Sequence, residues 1–262
     1  MNSGLIKLKN DWEKFRPLLE ALVIRDLKLK YRRSFLGYVW SLLNPLMMMA
    51  IMTVVFSYMF RFNIENYPLY LICGQTLWTF FNESTMTSME SIIVNGSLIR
   101  KVYIPKFIFP LARVASTFVT TSFSLAAILI VMLVMRVHIS WTILLFWIPL
   151  ICLMFFCVGV GLVISALSVY FRDVLHLYSV LTLAWMYVTP IFYPFEMLPH
   201  KAQLIVRLNP MFQYINFFRC VTIYNIVPDI YSWIAIIGWS ALSVMLGMII
   251  FSKLQRGFIF YL

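Results

Sequence analysis

The feature that most limits what this chain can become lies between Leu22 and Pro45. Arg25, Lys28, Lys30, Arg32 and Arg33 crowd the first half of that stretch, and from Leu36 to Phe60 no charged residue occurs. A run of about 20 apolar residues is long enough to cross the hydrocarbon core of a bilayer as a helix. A cationic cluster set against the start of such a run stays on the cytoplasmic side. The stretch therefore predicts a membrane span and fixes its direction, and with it the direction of every later span.

The rest of the chain agrees. Hydrophobic residues make up 62% of it and charged residues 12%, against roughly 45–50% and 25% in soluble domains. The long unbroken apolar runs exclude the alternating pattern of a transmembrane β-barrel. A net charge of +11 would point to nucleic acid in a soluble protein. Here its placement encodes topology and contact with anionic membrane lipid, and no nucleic-acid partner is expected. The expected fold is an all-α integral membrane protein, a single transmembrane domain over residues 1–262, with six spans at about 38–60, 68–89, 107–135, 141–169, 175–193 and 230–251. That topology leaves sixteen Lys and Arg residues inside and five outside, with both termini cytoplasmic. The N-terminus, with Asp11, Trp12 and Glu13 ahead of any apolar core, does not read as a cleavable signal peptide.

Before the first span, Pro17 suits the first turn of a helix, and residues 17–36 are expected to form one. Leu19, Val23, Leu27, Tyr31 and Phe35 recur as an apolar stripe, and Arg25, Lys28 and Arg32 as a cationic one. Such a helix lies in the headgroup plane. The second span is polar in its latter half, with Gln75, Thr76, Asn82, Glu83, Thr85, Thr87 and Ser88. In lipid, such residues turn inward or line a wet path.

Arg100, Lys101, Lys106 and then Arg113 form a second positive cluster, so this connection is also cytoplasmic. Asn95-Gly96 breaks the second span's helix and Pro105 closes the segment beyond it, which leaves one or two isolated turns at Ser97–Tyr103. A short helix between spans needs a partner. In the fourth span, Gly159, Gly161, Ser165 and Ala166 suit close helix packing. From Phe192 to Asp229 the chain is too polar to span yet keeps Leu204, Ile205, Leu208, Tyr214, Phe217 and Phe218. Two short helices hugging the outer membrane surface are expected there.

The sequence holds no G-x-x-x-x-G-K-[ST] phosphate loop and no Rossmann fingerprint, so the chain does not bind ATP by those routes. His138, His176 and His200 lie in separate connections without metal-ligand spacing. Cys73, Cys152, Cys157 and Cys220 show neither metal nor redox spacing and read as packing residues. No catalytic residue and no metal site are expected. Glu83 and Glu90 share one face of the second span, as a proton-coupled carrier would want. The other reading has Glu83 bonded to polar groups of a neighbouring helix and Glu90 at the headgroups. Aromatic residues are 17% of the chain. Tyr58, Trp78, Phe81, Trp185 and Tyr187 are equally compatible with a channel on which sugar rings stack and with ordinary packing.

Several of these motifs fall in a family order. Arg25-Asp26 with Lys30-Tyr31, then Ser34-x-x-Gly37-Tyr38-x-Trp40 and Asn44-Pro45, resembles the opening of the type-2 ABC exporter permeases that move lipid-linked polysaccharides, such as O-antigen, teichoic acid and capsule-type exporters. Leu98-Ile99-Arg100-Lys101 with Ile104-Pro105, Tyr170-Phe-Arg-Asp173, Thr189-Pro190 and Asn209-Pro210 continue it over nearly the whole chain. The resemblance implies a homodimer of six-span permeases in the bacterial plasma membrane, each seated on a separate ABC ATPase subunit that holds the ATP and magnesium. No cofactor is implied on this chain, and the permease is not itself an enzyme.

Under the resemblance, Ser97, Leu98, Ile99, Arg100, Lys101, Val102 and Tyr103 form the coupling helix, and residues 18–35 flank the entry for a lipid-linked glycan. Arg25, Lys28, Arg32 and Arg33 lie at the headgroups there. For Arg32 and Arg33, steering a substrate pyrophosphate and setting topology are both open. Tyr193, Arg207 and Tyr214 fall among the outer gate helices. Three rivals are an exporter of a smaller lipid or drug-like substrate, a membrane-embedded glycosyl or acyl transferase, and a secondary transporter. The first often carries a larger extracellular domain, the second needs an acid/base or metal cluster, and the third has no evident inverted repeat here.

Overall fold

In the computed structural model, residues 2–32, 37–60, 66–102 and 104–261 are described, and all regular structure among them is helical. The helices are α1 (Asn2–Tyr31), α2 (Trp40–Phe60), α3 (Tyr67–Val94), α4 (Gly96–Lys101), α5 (Ile108–Val134), α6 (Trp147–Tyr170), α7 (Val174–Val188), α8 (His200–Arg207), α9 (Pro210–Thr222), α10 (Ile230–Leu254) and α11 (Phe258–Tyr261). Among the described residues, four helical segments, 37–56, 108–134, 141–170 and 230–257, are long and apolar enough to cross a membrane. α7 is apolar but has 15 residues. α3 has 28 residues, about 42 Å at 1.5 Å per residue, and is the polar one.

That polarity is explained by position. α3 runs through the middle of the bundle, against α2, α5, α6, α7 and α9. Its hydroxyls turn onto nearby carbonyls, as Thr85 does to Phe81 at 2.9 Å and Thr87 to Glu83 at 2.8 Å. Others join helices: Ser88 Oγ donates to the Pro110 carbonyl at 3.3 Å, and Ser168 Oγ of α6 donates to Met89 at 2.7 Å. Thr76, Thr85 and Ser88 of the polar run are thus buried in the bundle, and the hydroxyls of Ser88 and Ser168 find acceptors on neighbouring helices that lipid could not supply.

The tightest seam joins α6 to α10. A Cβ on Gly159 would stand 2.2 Å from the carbonyl carbon of Ser243, so the two backbones touch. Ser240 and Ser243 then donate to the Cys152 and Phe156 carbonyls at 2.7 and 2.9 Å. The small residues expected to favour close packing do so here and at Gly161, whose Cα faces Ser88, in the manner of small-residue interfaces within membranes.

Several boundaries differ from the sequence expectation. α1 begins at Asn2 and carries Pro17 inside it rather than in its first turn; proline costs the helix one donor there but does not stop it. Among the described side chains of α1, Leu22 and Asp26 are buried while Leu19 and Val23 of the expected stripe are half-buried, so the buried side is rotated from that stripe. Residues 141–146 form a tight 3₁₀ segment ahead of α6, and α7 stops at Val188 because Pro190 lies just beyond. The two short helices do not both lie along a surface. α8 exposes Leu204 and Ile205, with Leu208 exposed just beyond it, but α9 sinks Met211, Phe212, Tyr214, Ile215, Phe217 and Phe218 into the core. The tail also docks: Phe258 is fully buried against Phe251, and Lys106 donates to the Gln255 carbonyl at 2.8 Å.

Candidate coupling and translocation site

At the basic end of the bundle, the elbow between α3 and α4 is tied to α1. Asp26 lies four residues beyond Leu22, on the face of α1 turned to the bundle, and its side chain is 5% exposed. A carboxylate there needs cations. Arg113 of α5 supplies one at 3.1 Å and Arg25 another at 3.0 Å. Arg25 also donates to Asn95 Oδ1 at 3.3 Å, and Asn95 donates to the Ser91 carbonyl at 2.7 Å. One network thus connects α1, α3 and α5 at the residue from which α4 springs. Ile99 anchors α4 in the apolar cluster with Leu22, Ile92 and Phe109, while Ser97, Arg100, Lys101 and Val102 stand exposed.

Next to this end, Lys30 at the close of α1 pairs with Glu83 of α3. The pair borders a cavity of about 340 Å³ between α2, α3 and α5, lined by Asn44, Gln75, Thr76, Thr79, Thr120, Thr121 and Ser124 among others. Gln75 Oε1 and Thr76 Oγ1 are buried on its wall without a hydrogen-bond partner among the described residues. A polar ligand or water fits such a lining, since an unpaired polar atom in this setting is costly.

At the opposite end, Arg219 of α9 is 3% exposed. Its guanidinium donates to the Tyr70 carbonyl at 3.1 Å, Pro190 at 2.8 Å and Ile191 at 3.0 Å, and lies 3.4 Å from the centroid of the Tyr70 ring. Pro190 lies just past the end of α7, and the fork collects the carbonyls of Pro190 and Ile191 in the irregular backbone beyond it together with that of Tyr70 in α3. Gly74 leaves the room, because a Cβ there would be 2.6 Å from Arg219 Nη2. Asn209 caps α9 by accepting from the Met211 N–H and the Trp185 indole, both at 3.0 Å, and donates to Thr189 Oγ1 at 2.9 Å. Thr189-Pro190 and Asn209-Pro210, far apart in sequence, are therefore one structural unit. Burial raises the phenols of Tyr193 and Tyr224 around this end, with Arg219 opposing the rise at Tyr224.

The expected site residues separate into groups. Lys28 and Arg32 are exposed at the basic end, whereas Arg25 is half-buried and donates to Asp26 and Asn95. Arg33 and Tyr103 lie outside the described residues, as does the side chain of Tyr58. Trp78, Phe81 and Trp185 pack on one another with ring centroids 5.1–6.1 Å apart. Phe81 is fully buried and Trp78 nearly so, Trp185 is half-buried, and Tyr187 is exposed. Tyr214 is fully buried and shares a hydrogen bond of 2.7 Å with Ser240. Tyr193 is half-buried with its hydroxyl on the Tyr187 carbonyl, and Arg207 lies over the Phe195 ring. The positions missed from sequence are Asp26, Arg113, Asn95, Lys30 and Arg219. Asp26 carries a signal, being an acid on the side of α1 that holds Leu22.

The fold is that of a helical multi-pass membrane protein with a tethered basic elbow. The ABC-2 type transporter family model matches residues 17–223, and the chain belongs to that family. It is 31% identical to the "O-antigen export system permease protein RfbA" of Klebsiella pneumoniae, over 97% of this chain and 98% of the relative. The protein of the same description from Myxococcus xanthus is 27% identical over the same shares of both chains. The "Capsule polysaccharide export inner-membrane protein CtrC" of Neisseria meningitidis is 22% identical over 92% of each.

Proposed function

We propose that this chain is the membrane-spanning permease of an ATP-driven exporter that carries a lipid-linked polysaccharide across the bacterial plasma membrane. α2, α3, α5, α6 with its preceding turn, α7 and α10 are its six spans, and both termini are cytoplasmic. Two copies assemble, each on its own ATPase chain, which binds ATP and magnesium. The observation that carries the reading is α4, a six-residue helix anchored by Ile99 while its basic face stands free. Full-length likeness to polysaccharide-export permeases supports the cargo. The unburied faces of α2 and α7, with Ile51, Val54, Val180 and Leu181 exposed, suit lipid or a second copy.

In this reading, closure of the ATPase pair pushes α4. The Asn95–Arg25–Asp26–Arg113 network passes the push to α1, α3 and α5 together. Movement of α1 loads the Lys30–Glu83 pair beside the polar cavity, which is suited to the polar head of the cargo. Co-expression with the ATPase tests the docking. Replacing Arg100 and Lys101 with Glu is expected to abolish co-purification while the permease remains folded; a complex indifferent to both changes would remove α4 from the interface.

A further inference from the structure

The end of the bundle away from α1 and α4 holds a cavity of about 840 Å³ that the coupling scheme does not use. Tyr70, Arg136, His138, Glu196, Phe212, Asn216, Arg219 and Tyr224 are on its wall. A second cavity of about 580 Å³ adjoins it and shares Phe195, Glu196, Phe212 and Asn216. Together they make one cleft, partitioned by the Phe195–Phe212 stack with ring centroids 4.9 Å apart.

Three properties of the cleft point to a ligand. First, the side chains of Arg136, His138, Glu196 and Asn216 make no hydrogen bond or ion pair within the described residues, so their polar groups are free for a guest. Second, each half carries a phenol ring open to the outside: Tyr224 is 50% exposed in the first and Tyr231 is 78% exposed in the second. Third, the non-glycine residues with positive φ among the described residues are Asn66, Arg136 and Asn225, and all three line the first cavity. Left-handed backbone at non-glycine positions concentrates where a surface must keep a set shape.

The geometry points to a saccharide site: we infer that this cleft binds a short linear segment of the glycan as it leaves the membrane. Planar amide, carboxylate and guanidinium groups can each meet two hydroxyls on a sugar edge, and an open phenol face accepts the apolar C–H face of a pyranose. Two adjoining subsites joined at Glu196 and Asn216 match an extended polymer better than a compact solute. The cleft lies within one chain, so each copy would carry its own. The inference rests on the export reading, under which this end faces outward.

The test uses the permease–ATPase complex in lipid nanodiscs and fragments of four to eight sugars released from the host's own surface polysaccharide. Saturation-transfer NMR and titration calorimetry are expected to report binding to the native complex. Loss of one or two hydrogen bonds is worth about tenfold in affinity, so E196Q combined with N216A is expected to weaken binding at least that much. Tyr224→Leu, at a half-exposed ring, is expected to weaken it too and serves if the double variant does not assemble. Binding unchanged in these variants overturns the inference. So does a native complex that transports polymer in vesicles yet binds no fragment, in which case the export reading stands. A complex that moves no glycan at all in vesicles would instead sink the export reading itself.

Discussion

The two ends of this bundle are held by opposite means. At the basic end a buried acid, Asp26, gathers two arginines from different helices. At the far end a buried arginine, Arg219, gathers backbone carbonyls and has no carboxylate within ion-pair distance among the described residues. In the network around Asp26, Arg25 is 41% exposed and can exchange its partner for water, while Asp26 stays buried. A guanidinium bound to carbonyls fixes the shape of irregular backbone and has no such alternative. Under the proposed coupling scheme, the end with α4 is the one expected to move and the end with the cleft the one expected to hold its shape.

The harshest way to break this comparison is to damage both ends at once. Gly159→Leu would force apart α6 and α10, on which both ends rest; overpacking at a backbone contact is expected to cost about 3 kcal/mol or more, read as loss of monodisperse protein in detergent. Next, Arg219→Ala strands the Tyr70, Pro190 and Ile191 carbonyls, and a loss of about 3 kcal/mol is expected, with Arg219→Lys restoring little because it lacks the planar fork. Thermal unfolding of the purified chain measures both, and a lysine variant as stable as native would show that geometry is not what matters there.

Asp26→Asn at the other end is expected to cost less, about 1–3 kcal/mol, because Arg25 is 41% exposed and can turn to water. Its larger effect should appear in ATPase activity of the assembled complex. A double-mutant cycle with Arg113→Gln gives the coupling energy, and a value near zero would sever α1 from α5 in the coupling scheme. Smallest in stability is Lys30→Ala: the pair with Glu83 is about a third exposed or more on both sides, at 39% and 35%, so no more than about 1 kcal/mol is expected, declining with added salt. Exchange of the two charges should preserve stability and, if the pair only latches α1, transport as well.

The resemblance and the apolar runs made the helical membrane class legible, and the chain breakers around 95–105 made the short helix α4 legible. Its exposed basic face comes from Arg100 and Lys101 directly. Aromatic roles were not legible, because Trp78, Phe81 and Trp185 look the same in a sequence whether they face a channel or one another. Arg219 reads in the sequence as an exposed outside cation, since a charge in a proline-rich connection is usually solvated. Only the position of Gly74 and the break at Pro190 put it inside.

What the sequence determined by itself is the class of solvent and the presence of a short basic helix between two long ones. These depend on local runs of residues, whose hydration energies add along the chain whatever it packs against. What only the tertiary structure decided is which polar groups meet. Asp26 finds Arg113, Lys30 finds Glu83, and Asn209 finds Thr189 across separations of 20 to 87 residues, and the energy of such pairs depends on distances that no local pattern encodes.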